Sequence, residues 1–129
     1  MAESGLKKKE RLSGKKIFNK LFLSETSIVV FPYKIIWIEI PASDTHIQFG
    51  VSAPKRNFKK AVVRNVLKRR IKEAYRKNKY LLTDELKKQK VHIALLIIYI
   101  SKEVLEYSEI EKKMIVSLRK VVDHYTKTI

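Results

Sequence analysis

Residues 54–79, PKRNFKKAVVRNVLKRRIKEAYRKNK, hold twelve lysines and arginines and a single acid, Glu73. Guanidinium and ammonium groups at this density suit the neutralisation of a polyanion, and they bind phosphates rather than transform them. At about 100° per residue, Arg64, Asn65, Lys68, Arg69, Lys72 and Arg76 fall within an arc of roughly 140°. Val63, Leu67, Ile71 and Ala74 fall together on the opposite side. A helix over about 60–79 would therefore bury one stripe and turn a nearly pure Arg/Lys/Asn face outward. Asn65, the neutral member, can donate and accept at once, which suits a phosphate, a sugar or a base edge. The preceding loop adds Lys55, Arg56, Asn57, Lys59 and Lys60 beside the positive end of the helix. Lysines kept for solubility usually alternate with glutamates at four-residue spacing, and Glu73 alone does not supply that pattern.

The elements that must position this face can be read from periodicity. Ser13 is placed as the N-cap of a short helix, GKKIFNKLF, with Ile17 and Leu21 on one face and Phe18 and Phe22 on the next. Residues 28–31 and 33–40 are rich in β-branched and aromatic types, interrupted by Pro32 and closed by Pro41, and read as one strand with an irregular start. Residues 46–52, HIQFGVS, alternate as a second strand, expected to pair with the first as a hairpin through the turn at 42–45. A third strand at 91–100 is nearly all apolar, which predicts a central position. A polar linker or short helix is expected at 82–89. Ser108 and Glu111 form a capping-box pattern ahead of a helix whose Ile110, Met114, Leu118, Val121 and Tyr125 repeat at three and four residues. The resulting expectation is an α/β two-layer sandwich on a mostly antiparallel sheet.

Length and composition bound the rest. The 129 residues, 45% of them hydrophobic, suffice for one domain with a true core, so 1–129 is read as a single domain with a flexible basic arm at 1–11. A formal charge of +16 makes compaction self-repelling unless phosphates stand beside the protein. The apolar run at 93–100 is far short of a membrane span, the N-terminus lacks a signal-type run, and the basic helix lacks the bulky apolar face of a membrane-surface helix. A cytoplasmic protein is expected, with no membrane and no protein partner evident. Without cysteine there is no disulfide or thiolate metal site, and His46, His92 and His124 have no ligand spacing. Glu39, Asp44, Asp84 and Glu85 lie in turn or linker positions, while Glu103, Glu106, Glu109 and Glu111 crowd a helix start, where the helix dipole explains them better than acid/base work. No catalytic residue is expected in the chain.

The segment from Phe58 to Lys72 resembles the signature of the bacterial ribonuclease P protein component, an Ala followed two residues later by Arg-Asn-Arg, an aliphatic residue and Lys-Arg; here Ala61 precedes Arg64, Asn65, Val66, Leu67, Lys68 and Arg69. Phe49-Gly-Val-Ser52 with Lys55-Arg56 resembles that family's strand and basic loop, and the run from Arg11 to Phe22 resembles its first helix. Val66 departs from the pattern at the edge of the basic arc, and HIALLIIYISK lacks the family's usual ending to the last strand, where Lys102 stands nearby. The resemblance implies an α-β-β-β-α-β-α order with a left-handed βαβ crossover, a ribosomal protein S5 domain 2-like fold. It also implies a protein subunit of ribonuclease P. In that enzyme the catalytic RNA, using Mg²⁺, frees the 5′ end of precursor tRNA from its leader.

By the same resemblance, Arg64, Asn65, Lys68, Arg69 and Lys72 would contact the catalytic RNA, joined by Lys55, Arg56, Lys59, Lys60 and Arg76 from the same basic surface. Phe18, Phe22, Trp37 and Ser52 would line a cleft for the single-stranded leader, since aromatic faces stack on unpaired bases with little sequence demand. A Phe pair four residues apart and a Trp in a strand are also ordinary core patterns. A ribosomal or ribosome-assembly protein is the alternative that composition leaves open, and a DNA reader or a stand-alone nuclease would need features this chain does not display.

Overall fold

The computed structural model describes residues 10–24 and 26–126. In chain order its elements are α1 (Lys15–Phe22), β1 (Ser27–Val30), β2 (Tyr33–Ile40), β3 (Ile47–Ser52), α2 (Ala61–Asn78), α3 (Tyr80–Gln89), β4 (His92–Tyr99) and α4 (Tyr107–Thr126). The four strands form one sheet in the order β1-β2-β4-β3, with β1–β2 and β2–β4 antiparallel and β3–β4 parallel. The crossover joining the parallel pair carries α2 and α3. Of the expected arm at 1–11, only Glu10 and Arg11 lie among the described residues. None of the described helices is long and apolar enough to cross a membrane.

Strand β4 takes the centre because its side chains are apolar on both faces. It pairs with β2 from Tyr33↔Tyr99 to Ile40↔His92, and with β3 from Ile47↔Ile93 to Ser52↔Ile98. Alternation then divides the core. Ile93, Leu95, Ile97 and Tyr99 join Tyr33, Ile35 and Trp37 beneath Leu67 and Ile71 of α2, Leu82 and Leu86 of α3, and Ile110, Met114 and Leu118 of α4. On the other face Ala94, Leu96 and Ile36 meet Leu12 and Leu21, the latter from α1. The buried Tyr33 hydroxyl donates to the Ile110 carbonyl at 2.8 Å, tying the sheet to the first turn of α4.

Two strand expectations require correction. The run expected at 28–31 belongs to a separate edge strand, β1 (Ser27–Val30), folded back on β2 with Val30 opposite Tyr33. Residues 46–52 do not pair with β2 as a hairpin, because β4 inserts between them. Strand β4 can bury apolar side chains on both faces, whereas β3, with Gln48 and Gly50 on one face, suits an edge. The helix caps also shift. Gly14, at φ 103°, occupies the cap of α1, one residue past Ser13. Helix α4 begins at Tyr107, so Ser108 lies inside it, and the Glu106 carbonyl accepts from the amides of Glu109 and Ile110. The loop ahead fixes that start: Arg70 donates to the Leu105 carbonyl at 2.8 Å, and the Leu105 amide donates to the Tyr99 hydroxyl at 3.2 Å.

Helix α3 ends at Gln89 and is capped by Lys90, which adopts φ 58° and ψ 42° while its amide and that of Val91 close onto the last carbonyls of the helix. This left-handed cap conformation favours glycine, and a lysine there stores backbone strain. Lys90→Gly is expected to raise unfolding stability in urea by up to about 1 kcal/mol, the left-handed penalty relieved less the added chain entropy. A decrease would mean that the lysine side chain contributes more than its backbone costs.

Candidate nucleic-acid interface

The cationic face is built around the free edge of β3. Arg11 makes a parallel bridge to Phe49, and the Leu12 amide donates to the Phe49 carbonyl at 2.9 Å, so the chain ahead of α1 lies along that edge. Gly50 permits this approach, since a Cβ there would sit 2.9 Å from Leu12 Cδ2 and 3.0 Å from Leu12 Cβ. Helix α1 follows on one side of the sheet and α2 rises on the other. Between them opens a cleft of about 540 Å³, to which α1 contributes Phe18, β3 contributes Gly50 and Val51, and α2 contributes Asn65, Lys68, Arg69, Lys72 and Glu73.

Helix α2 presents these groups because its opposite stripe is anchored. Leu67, Ile71 and Ala74 are fully buried, and Tyr75 stacks on Phe49 with ring centroids 3.8 Å apart. The one acid at the cleft is already engaged: Arg76 donates to Glu73 through Nε at 2.9 Å and through a terminal nitrogen at 2.7 Å. The Arg76 hydrogen bond holds the Glu73 carboxyl below its usual range, against a smaller opposing effect of burial. Arg76, expected on the RNA face, thus directs two of its nitrogens at a carboxylate of its own helix. Lys68, Arg69 and Lys72 remain as the cations that α2 sends to the cleft, and Arg11 adds a fourth from the segment ahead of α1.

Arg64 is placed differently from its expectation. One terminal nitrogen donates to the Phe58 carbonyl at 2.7 Å and to the Lys59 carbonyl at 2.9 Å. Phe58 itself is buried and packs against Tyr99, so Arg64 fastens the 54–60 loop onto the start of α2. Lys55, Arg56, Lys59 and Lys60 are exposed on that loop, beyond the residues that line the cleft. Val66, where the family pattern has a basic residue, is half-buried on the flank of α2.

The four aromatic-cleft expectations separate. Phe18 lines the cleft. Phe22, one turn on, is 63% exposed and lies outside the cleft's lining. Ser52 is half-buried at the end of β3, on the same sheet face as Gly50. Trp37 is a correction: it is 2% exposed on the three-helix face, edge-on to His124 with centroids 5.3 Å apart. Residues 33, 35 and 37 share that face, so α1 meets Ile36 instead. Alternation in YKIIWIEI puts Trp37 and Ile36 on opposite faces, and tertiary packing decides which of them meets α1. Sequence reasoning missed Arg11, Leu12 and Gly50 as parts of the site; an isolated glycine inside a strand was the available signal of close backbone approach.

These residues lie within the span over which relatives are found. A family model described as Ribonuclease P matches residues 6–122. The chain belongs to that family. A ribonuclease P protein component of Porphyromonas gingivalis is 31% identical over 121 residues, spanning 93% of this chain and 88% of the relative, and that of a second strain is 32% identical over 120 residues, spanning 91% and 86%. Among solved structures, a Staphylococcus aureus RNase P protein mutant with defective mRNA degradation activity superposes with a TM-score of 0.70 at 17% identity, over 88% of this chain and 89% of that one. The Thermotoga maritima RNase P protein gives 0.69 at 20% identity, over 86% and 96%. These two likenesses establish the fold. Family membership makes the chain the protein subunit of the ribonuclease P holoenzyme, which acts in tRNA 5′ processing, with the ribonuclease P RNA as its partner.

Arg64 and Lys68 should separate in a denaturation experiment. Arg64→Ala is expected to lose about 1.5–3 kcal/mol in urea unfolding, because a charged donor leaves two carbonyls, while Lys68→Ala should stay within about 0.5 kcal/mol of the parent. Similar losses for both would mean that the loop does not depend on Arg64. The depressed Glu73 carboxyl makes a signed prediction as well: its contribution is present above the unfolded carboxylate value and lost as pH falls through the lower folded value. Glu73→Gln should therefore flatten acid destabilisation slightly, the pair being partly exposed and screened.

Proposed function

We propose that the cleft between α1 and α2 receives the single-stranded 5′ leader of precursor tRNA, and that the outer face of α2 with the 55–60 loop docks on the catalytic RNA. The observation that carries this reading is the meeting of an aromatic ring, Phe18, with Asn65, Lys68, Arg69 and Lys72 around a single cleft, where the other ring, Phe49, is buried against Tyr75. An unpaired base can stack on the ring without sequence preference, while the cations neutralise the backbone that flanks it. Lys68 and Arg69 stand at the rim that the cleft shares with the outer face of α2, so they would hold phosphates of the leader and of the catalytic RNA alike, and Asn65 can serve a sugar or base edge. Arg64 acts one step back by fixing the loop whose Lys55, Arg56, Lys59 and Lys60 extend the contact. The working compartment is taken to be the cytoplasm.

The chain's own part is to bind and orient. The site's donor set does not fit a protein-held Mg²⁺: the acid at the cleft is paired with Arg76, and the remaining groups are cationic or amide. Among the described residues no cluster of three or more His, Asp or Glu could hold a metal. The metal chemistry of hydrolysis is accordingly assigned to the RNA, and the protein alone is expected to cleave nothing.

The test is precursor-tRNA cleavage at low Mg²⁺ by a bacterial ribonuclease P RNA, with and without this protein. Stimulation with correct 5′ ends is the expected result. Phe18→Ala should weaken binding of precursor by about 1–3 kcal/mol, the worth of one stacked base, and leave mature tRNA nearly unchanged. Equal losses for both would return Phe18 to a purely structural role. Lys68→Ala should lower the slope of log affinity against log salt by about 0.7–0.9. Tight RNA binding without stimulation, using the RNA of the same organism, would count for the ribosomal alternative.

A further inference from the structure

A second cavity, of about 310 Å³, lies at the opposite end of β3 and has no part in the reading above. Lys79, Thr83 and Lys87, spaced four residues apart, form one wall, and His46 at the start of β3 forms the other. Buried Tyr75 faces it from α2. The site is cationic on its helical side and carries two carboxylates in its lining: Asp44, on the His46 side, and Glu10, the residue before the Arg11–Phe49 bridge, which accepts from Lys79 Nζ at 2.9 Å. Lys87 has no ion pair among the described residues.

The two cavities follow the same strand edge. From Arg69 to Lys79 the helical rise amounts to about 15 Å, so cations of α2 and of the α2–α3 junction border that edge for most of its length. A half-buried Glu–Lys pair at a cavity still open to solvent can exchange its partner, and a phosphate offers Lys79 a more highly charged acceptor and Lys87 an acceptor as well. The segment that carries Glu10 also walls the first cleft, through Arg11 and Leu12.

We propose that the cavity beside Lys79 and Lys87 is a second anion subsite, which takes a backbone phosphate of the RNA strand whose neighbouring segment occupies the Phe18 cleft, with Lys79 exchanging the Glu10 carboxylate for that phosphate. The proposal rests on the RNA-binding reading of the first cleft. Glu10 then acts as a built-in competitor that occupies the subsite when no RNA is present. Removing its charge should strengthen RNA binding, the reverse of what loss of a structural ion pair would do.

The experiment measures affinity and salt dependence of the full chain for a fluorescent single-stranded oligoribonucleotide of about a dozen residues. Four variants are compared: Lys87→Ala, Glu10→Gln, Lys68→Ala in the first cleft, and Lys112→Ala, an exposed control on α4 with the same change in charge. Expected are a several-fold loss for Lys87→Ala that exceeds the Lys112→Ala loss, a salt slope lower by about 0.7, and tighter binding by Glu10→Gln. If Lys87→Ala matches Lys112→Ala while Lys68→Ala binds weakly, the second subsite is overturned and the first cleft stands. No effect of Lys68→Ala overturns the first cleft itself. Weaker binding by Glu10→Gln makes Glu10 a structural latch and removes the exchange.

Discussion

Strand β4 is the constraint on which the rest of the molecule depends. It is hydrogen-bonded along both sides and apolar on both faces, so the chain must supply cover above and below it. Three helices provide one cover, and α1 with Leu12 provides the other. Placing β4 at the centre sends β3 to the edge, and the edge is where α1 and α2 can approach each other around the sheet. The cleft exists because the most hydrophobic strand displaced a more polar one outward.

That arrangement also manages the charge. A chain with a net +16 repels itself, and the fold responds by directing several cations inward to specific oxygens. Arg70 holds the β4–α4 loop, Arg64 holds the loop before α2, and Arg76 and Lys79 pair with acids. What remains toward the first cleft is a smaller, ordered set: Lys68, Arg69 and Lys72 of α2, with Arg11 from the segment ahead of α1. A basic sequence of this kind therefore contains two populations, cations that shape the site and cations that line it.

The same division explains how far the sequence could be read. Helices α2 and α4 and strand β4 were legible because their patterns are local: Leu67, Ile71 and Ala74, or Ile110, Met114 and Leu118, repeat with the helical period and are buried as that period requires. The family signature covering Ala61 to Lys72 was local as well. The pairing of β3 was not, since it depended on a strand forty residues later claiming the position beside β2. Trp37 was misplaced because the parity of β2 relative to α1 is a tertiary fact. Arg64 was read as an outward charge because nothing in its own helix announces that the Phe58 and Lys59 carbonyls lie within reach.

The bridge between Arg11 and Phe49 has a bearing on solubility. An edge strand with unpaired amides and carbonyls is a template for association with other chains. Here the short stretch ahead of α1 occupies part of that template on β3, and the missing side chain of Gly50 lets it lie close. The residues that wall the first cleft thus also act as a gatekeeper, so this flank of the sheet is partly closed to intermolecular strand pairing.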